Sequence, residues 1–293
     1  MLSLTGGMHY VYCESNVSFL QDPYLAVDET INDVFTKSED GSLHLRTRYL
    51  WGLRTSMTNL VYFIYDKGSR CRRVIVDFLK EFFGTIQTDG ATQYKIFEKD
   101  PDLHVTRLSC LVHIRRYFYK SLKFEDESGI AGHFVKKIDM VNILEKSYKK
   151  DHLTPEQIKQ HRGEEVLPIL LDIYNDLSRY AKDQSGKCGT LLMKAIKYAI
   201  AEWQGIIRYT RNGNYRVDNN YAEQCMRDIA CGRKNFLFSG SDEAAANLAF
   251  AYSLTESCKL CRVNPYTYWT YILDNAEDQS IPALNLLPHM WHK

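Results

Sequence analysis

Three acidic side chains in this sequence have the type and setting for metal-assisted chemistry: Asp28, Asp89 and Glu223. Asp28 closes the apolar run YLAVD, Asp89 closes TIQTD directly before Gly90, and Glu223 follows Asn220 by three residues at the head of an apolar-periodic run. Carboxylates gathered at the carboxyl edge of neighbouring strands repel each other unless a cation lies between them. Mg2+ takes oxygen ligands, keeps several waters and needs only a few carboxylates, with Mn2+ as the alternative ion. A third acid carried in by a helix completes a site for two such ions. One activates an attacking hydroxyl or water, and the other stabilises a leaving 3′ oxygen. Read singly, each residue has a plainer role: Asp28 and Asp89 as strand-end acids in turns, Asn220 with Glu223 as a helix-capping box.

The elements that must carry these acids are legible as hydrophobic periods. Tyr24–Asp28, Tyr49–Arg54 and Leu60–Tyr65 are short runs rich in aromatic and β-branched residues; they read as strands in an antiparallel meander, with charged Asp33–Gly41 as a turn. Cys71, Ile75, Phe78, Leu79 and Phe82 recur at helical spacing, with Ser69 as cap and Gly84 as stop. Thr85–Asp89 and His104–Cys110 read as two further strands with a short irregular or helical link, and His113–Lys123 as a basic helix. That order predicts an α/β fold with a ribonuclease-H-like core: a mixed sheet of three antiparallel strands, then parallel ones, with helices on the faces.

From about 130 to 210 the pattern is helical throughout. Phe134, Ile138, Val141, Leu144 and Tyr148 form one stripe, and Leu192, Ala195, Ile196, Ala199, Trp203 and Ile206 another. Thr154, Pro155 and Gln157 make a capping box with proline at the first helical position, and Pro168 is expected to kink or split the helix it opens. This block carries no obvious chemistry and reads as an insertion in the core. Ala222, Cys225, Met226 and Ile229 give the Glu223 helix an inward face, Asn235–Phe238 reads as extended, and helices follow over Glu243–Leu260 and Asn264–Leu273. The predicted organisation is an irregular start at 1–20, the first half of the core at 21–125, the insertion at 126–205, the second half at 206–241 and a small helical C-terminal segment at 242–293.

Composition narrows the class. A net charge of +1 means that any nucleic-acid contact must come from local patches. The N-terminus lacks a basic stretch followed by an apolar core, so no secretory signal is expected, and no run of about 18 apolar residues is present. Cys258 and Cys261 lie close, but neither Cys225 with Cys231 nor Cys110 with His113 supplies a well-spaced second pair for zinc, so the cysteines read as small buried hydrophobes. His113, Arg115 and Arg116 at a helix start, and Arg233 and Lys234 behind Glu223, are suited to phosphate contacts that set affinity and position.

Several segments resemble the insertion-sequence 66 family of transposases: VDET at 27–30, QTDGATQY at 87–94, CLVHIRRYF at 110–118 and DNNYAEQCMRDIACGRKNFLFSGS at 218–241. ESCKLCRVNPYTYW at 256–269 and LLPHMW at 286–291 are similar to that family's C-terminal segment, so the resemblance runs from about residue 20 to the end. It implies a DDE transposase, a ribonuclease-H-like enzyme that cleaves and joins DNA strands with Mg2+. The first, second and third acids then fall on Asp28, Asp89 and Glu223, with Asp218 as the rival for the third place. Asn219 and Asn220 of the DNN run join His113, Arg115, Arg116, Arg233 and Lys234 as candidate DNA contacts. The sequence departs from the family pattern at Gln224 and Asp228, where arginine and proline are usual, and at Leu111, where tryptophan is usual. Family members carry a further N-terminal region that helps recognise element ends, whereas 27 residues precede Asp28 here, so an N-terminally short member is expected.

The partners implied are double-stranded DNA, as element ends and target, and further copies of the chain as a homo-oligomer on DNA, with no membrane. The setting implied is the bacterial cytoplasm and its nucleoid. Two other classes fit the same residues: an inactive transposase-derived DNA-binding protein, and a ribonuclease-H-like nuclease that cuts without joining.

Overall fold

The computed structural model describes residues 19–123, 129–182, 189–275, 278 and 280–291. The irregular start expected at 1–20 thus falls almost wholly outside the described residues, as do Cys13 and Cys188. The fold is mixed α/β, built on a five-stranded sheet: β1 (Tyr24–Lys37), β2 (Leu43–Thr55), β3 (Val61–Ile64), β4 (Gly84–Thr88) and β5 (Val105–Ser109). The strand order is β3-β2-β1-β4-β5, with β1 in the centre. β1–β2 and β2–β3 are antiparallel, as the meander reading expects.

Compactness divides the chain into two units. Residues 1–86, 96–106 and 220–293 form the first, and 87–95 with 107–219 the second.

In the first unit the β1–β2 hairpin is longer than its sequence suggests. Asp33–Lys37 is strand rather than turn, paired from Asp33↔Thr47 to Lys37↔Leu43. Charged residues are tolerated there because this end of the hairpin is largely solvated, and Thr47 Oγ1 donates to Asp33 at 3.0 Å. α1 (Arg72–Leu79) stops short of Phe82, and Gly84 opens β4 instead of closing that helix. A Cβ at Gly84 would sit 2.7 Å from the carbonyl oxygen of Pro23, so the close approach of two backbones requires glycine.

α7 (Asn220–Phe236) carries Glu223 and runs two residues into the stretch expected to be extended; only Ser239 pairs, as a parallel bridge to Val34. α8 (Asp242–Leu260) is capped by Ser241, whose hydroxyl accepts from Ala244 N–H, and α9 (Pro265–Asn275) begins with proline as expected. Leu50, Val61, Phe63, Cys225, Met226, Ile229 and Ala249 form one core between sheet and helices. Along β3, an outer strand, the N–H groups of Val61 and Phe63 donate to the hydroxyls of Ser257 and Ser253 on α8, both at 2.8 Å.

The second unit holds α2 (Leu111–Ser121), α3 (Ile130–Lys150), α4 (Pro155–His161), α5 (Leu167–Lys182) and α6 (Thr190–Arg208). The capping box at Thr154 is complete in both directions. Pro168 does split its helix: Arg162–Val166 forms a wide, π-helical turn before α5 resumes. Proline has no N–H for the carbonyl four residues back and its ring crowds that carbonyl, so a wider turn relieves both problems. Arg162 in that turn is 3 % exposed and grips Glu145 with two 2.7 Å hydrogen bonds. It also donates to the carbonyls of Asn212 and Tyr215, pinning the loop that leads out of α6.

Candidate active site

Asp28 lies on central β1, directly opposite Gly52 of β2. Opposed residues of an antiparallel pair project to the same face. A Cβ at Gly52 would collide with Met226 Cε of α7 and sit 2.7 Å from Phe63 Cε1, so that face is the one α7 covers. The rungs on either side agree. Opposite Ala26, Arg54 donates to the carbonyl of Tyr221 at 3.2 Å, and its guanidinium carbon lies 3.3 Å from the centroid of the Tyr221 ring. Two residues beyond Asp28, Thr30 Oγ1 accepts from Arg233 at the far end of α7, which also donates to the Ile31 carbonyl at 2.7 Å. Asp28 therefore projects between two rungs that are both bonded to the Glu223 helix.

Glu223 itself stands in the first turn of α7, half-buried, one turn before Met226. Unpaired N–H groups at a helix start favour a negative charge there. The helix begins at Asn220, so this residue is the first of the helix rather than the cap expected for it. Asp28 is also half-buried, and its Oδ1 accepts from the Glu29 N–H at 2.9 Å.

Asp89 belongs to the second unit, immediately after β4. Its Oδ1 accepts from Ala91 N–H at 2.9 Å, closing a side-chain turn of the kind aspartate makes. Its carbonyl accepts from Arg107 at 3.0 Å and from Thr88 Oγ1 at 2.8 Å. Arg107 is fully buried on β5 and paired at 2.7 Å with Glu202 of α6, itself 2 % exposed. Burial works against the Glu202 carboxylate, yet Arg107 and Lys95 overcome it and hold its carboxyl below the usual range. Asp218, the rival acid, is half-buried in the second unit just before Asn219.

The other candidate residues separate by their surroundings. Arg115 is engaged by Asp139 through two hydrogen bonds of 2.6 and 2.9 Å, which hold the Asp139 carboxyl below its ordinary value. Asn219 is fully buried, and its backbone N–H meets Cys110 Sγ at 3.2 Å. His113 and Arg116 lie together at 3.3 Å near the start of α2, and Lys234 is exposed at the end of α7. Burial pushes the Cys110 thiol up to about 12, so it stays protonated and packs. Among the described residues, no three His, Cys, Asp or Glu side chains are gathered as a metal-holding group. The donors that the sequence singles out are carboxylates only, a set that suits Mg2+ or Mn2+ in preference to a thiolate-seeking ion.

Tyr198, Glu202 and Arg107 escape a reading by periodicity. The signal available was a glutamate beside Trp203 on the inward arc of a helix, and an arginine inside the apolar strand VTRLS. Charges in such places are rare unless paired with each other.

No helix among the described residues is long and apolar enough to cross a membrane. No solved structure matches the chain. Three proteins of Sinorhizobium fredii (strain NBRC 101917 / NGR234), all described as uncharacterized, are similar to it. With y4jD it shares 30% identity over 241 residues, 76% of this chain and 44% of the relative. With y4hP the identity is 25% over 201 residues (64% and 36%), and with y4qI 24% over 226 residues (75% and 40%). The chain thus spans less than half the length of these curated relatives. A family model described as Transposase IS66 family matches residues 6–247, which take in all five strands, the helical block and the Glu223 helix. The chain belongs to that family.

Proposed function

We propose that this chain carries the catalytic core of a DDE transposase on a ribonuclease-H-like scaffold. It cleaves DNA at the ends of an insertion sequence and joins the freed 3′ ends to target DNA. Asp28, Asp89 and Glu223 are its three acids and hold Mg2+, with Mn2+ able to replace it. The observation that carries the reading is the shared face of Asp28 and the Glu223 helix, set by the meeting of Gly52 and Met226. Bound there, the metal supplies positive charge for activating the attacking hydroxyl and stabilising the leaving 3′ oxygen.

The protein's own part is to fix the acids and to seat the DNA. β1 fixes Asp28 through its ladder to β2, and α7 fixes Glu223 through Met226, Arg54 and Arg233. Lys234, Arg116 and His113 are the side chains best placed to meet phosphates, since Arg115 is held by Asp139 and Asn219 lies inside. The family match supports double-stranded DNA as the substrate of this reading, and a reaction that pairs two ends would use more than one copy of the chain.

The test is a strand-transfer assay of this chain with labelled element ends, a target duplex and Mg2+. Joined product supports the transposase reading. Cut but unjoined ends would make the protein a nuclease, and retention without cutting would make it a DNA-binding derivative. Asp28→Asn, Asp89→Asn and Glu223→Gln are each expected to abolish product; intact cleavage by any one removes that residue from the site.

A further inference from the structure

The peptide unit joining Asp89 to Gly90 is held at both of its polar atoms. Its carbonyl accepts from Arg107 at 3.0 Å, and its N–H donates to the Tyr198 hydroxyl at 3.1 Å. Tyr198 and Glu202 stand one turn apart on α6, so one helix reaches this peptide twice: directly through Tyr198, and through Glu202 by way of Arg107. We propose that α6 is a positioning element for Asp89, with Tyr198, Arg107 and Glu202 as positioning residues that fix the direction of its carboxylate. The inference rests on the reading of Asp89 as a metal-holding acid.

Each part of the clamp is itself fixed. The Tyr198 ring stacks on Tyr117 of α2 with centroids 4.3 Å apart. A Cβ at Gly90 would lie 2.5 Å from the Tyr198 hydroxyl, so only glycine admits the ring this close. Glu202 Oε2 accepts from Arg107 and from Ser109 at 2.7 and 2.8 Å, while its other oxygen pairs with Lys95. Lys95 also donates to the Ala201 carbonyl at 3.0 Å, tying the same turn of α6 to the 3-10 segment after Asp89. A Cβ at Gly205 would collide with Ser109, so α6 packs directly against the end of β5.

The geometry transmits to the carboxylate by a short route. Asp89 Oδ1 is bonded to Ala91 N–H, so its side-chain direction depends on the path of the backbone from 89 to 91. That path turns on the torsions flanking the clamped peptide. Rotating the peptide would break the hydrogen bonds to Arg107 and Tyr198 together, and would leave polar groups of a buried network unsatisfied. A network needed only for folding would have no reason to act on Mn2+ binding. Partners that orient a ligand typically change metal affinity about 10–100-fold when removed.

The probe is Mn2+, titrated into the 293-residue chain and read by the electron paramagnetic resonance signal of the free aqua ion, with thermal unfolding followed in parallel. Tyr198→Phe keeps the ring and its stacking and removes only the hydroxyl. It is expected to weaken Mn2+ binding about 10-fold while the unfolding midpoint stays close to that of the unaltered chain. Arg107→Lys, which keeps the charge but not the fork, is expected to weaken it at least as much. Asp89→Asn distinguishes loss of the metal ligand from loss of the clamp. If Asp89→Asn loses Mn2+ and Tyr198→Phe binds like the unaltered chain, the clamp is wrong and the metal reading stands. If Asp89→Asn binds like the unaltered chain, or the unaltered chain takes up no Mn2+, the metal reading falls and the clamp with it.

Discussion

Met226 occupies the space that a side chain at Gly52 would need, with Phe63 closing the other side. The strand opposite Asp28 thus accepts the Glu223 helix only because position 52 carries no Cβ. Gly52→Ala is expected to cost about 1–3 kcal/mol by overpacking. Met226→Ala alone is expected to cost about 2–5 kcal/mol through the cavity it leaves. The double variant should be more stable than the sum of the two, by about 0.5–3 kcal/mol, because each change relieves the other. Strict additivity in denaturant unfolding would mean that the two positions do not share this space.

Arg162 and Glu145 are both buried and joined by two hydrogen bonds in the helical block. Glu145→Ala strands the arginine and is expected to cost about 3–5 kcal/mol, whereas replacing both residues with apolar side chains of similar volume should cost much less. Chemical denaturation of the two variants beside the unaltered chain measures this. An equal loss in the single and double variants would place the energy in the Arg162 contacts to Asn212 and Tyr215 instead.

Acid should act through Glu202. Its folded-state carboxyl lies below the ordinary glutamate value, so its contribution to stability is present above about 4.3 and fades as pH falls through the lower folded value. Glu202→Gln is expected to be less stable at neutral pH by about 3–5 kcal/mol, since Arg107 and Lys95 lose their counter-charge. Its stability should also decline less steeply below about pH 4.3. Parallel pH–stability curves for the two proteins would show that Glu202 is not the titrating group.

On DNA, Lys234→Ala is expected to lower the slope of log affinity against log salt by about 1, the signature of one lost phosphate contact. Arg115→Ala should leave that slope unchanged, because Asp139 already holds its guanidinium. Equal changes for the two variants would mean that the ion pair opens when DNA binds.

How far the sequence led depended on the kind of signal. Short apolar runs rich in aromatic and β-branched residues placed all five strands, and local proline and cap chemistry placed the start of α4 at Thr154 and the break at Pro168. The length of the β1–β2 hairpin was hidden, because Asp33, Thr47 and their neighbours are polar on a solvated ladder and so resemble a turn. The close meeting at Gly52 and the clamp at Asp89 were hidden for a different reason. A missing Cβ, or a glutamate beside Trp203, acquires meaning only from a partner far along the chain. Conversely, Asn219 and Arg115 looked available for DNA because local sequence does not reveal that Asn219 is buried and that Asp139 engages Arg115.

The serine hydroxyls of α8 that accept from Val61 and Phe63 act on the outer rim of the sheet. Backbone donors at a bare rim invite another chain to continue the ladder. With those two donors already satisfied, an incoming strand would have to displace α8 before it could add itself there. Any chain that met this flank would do so through side chains, and the sheet is guarded on that side against fibrous growth.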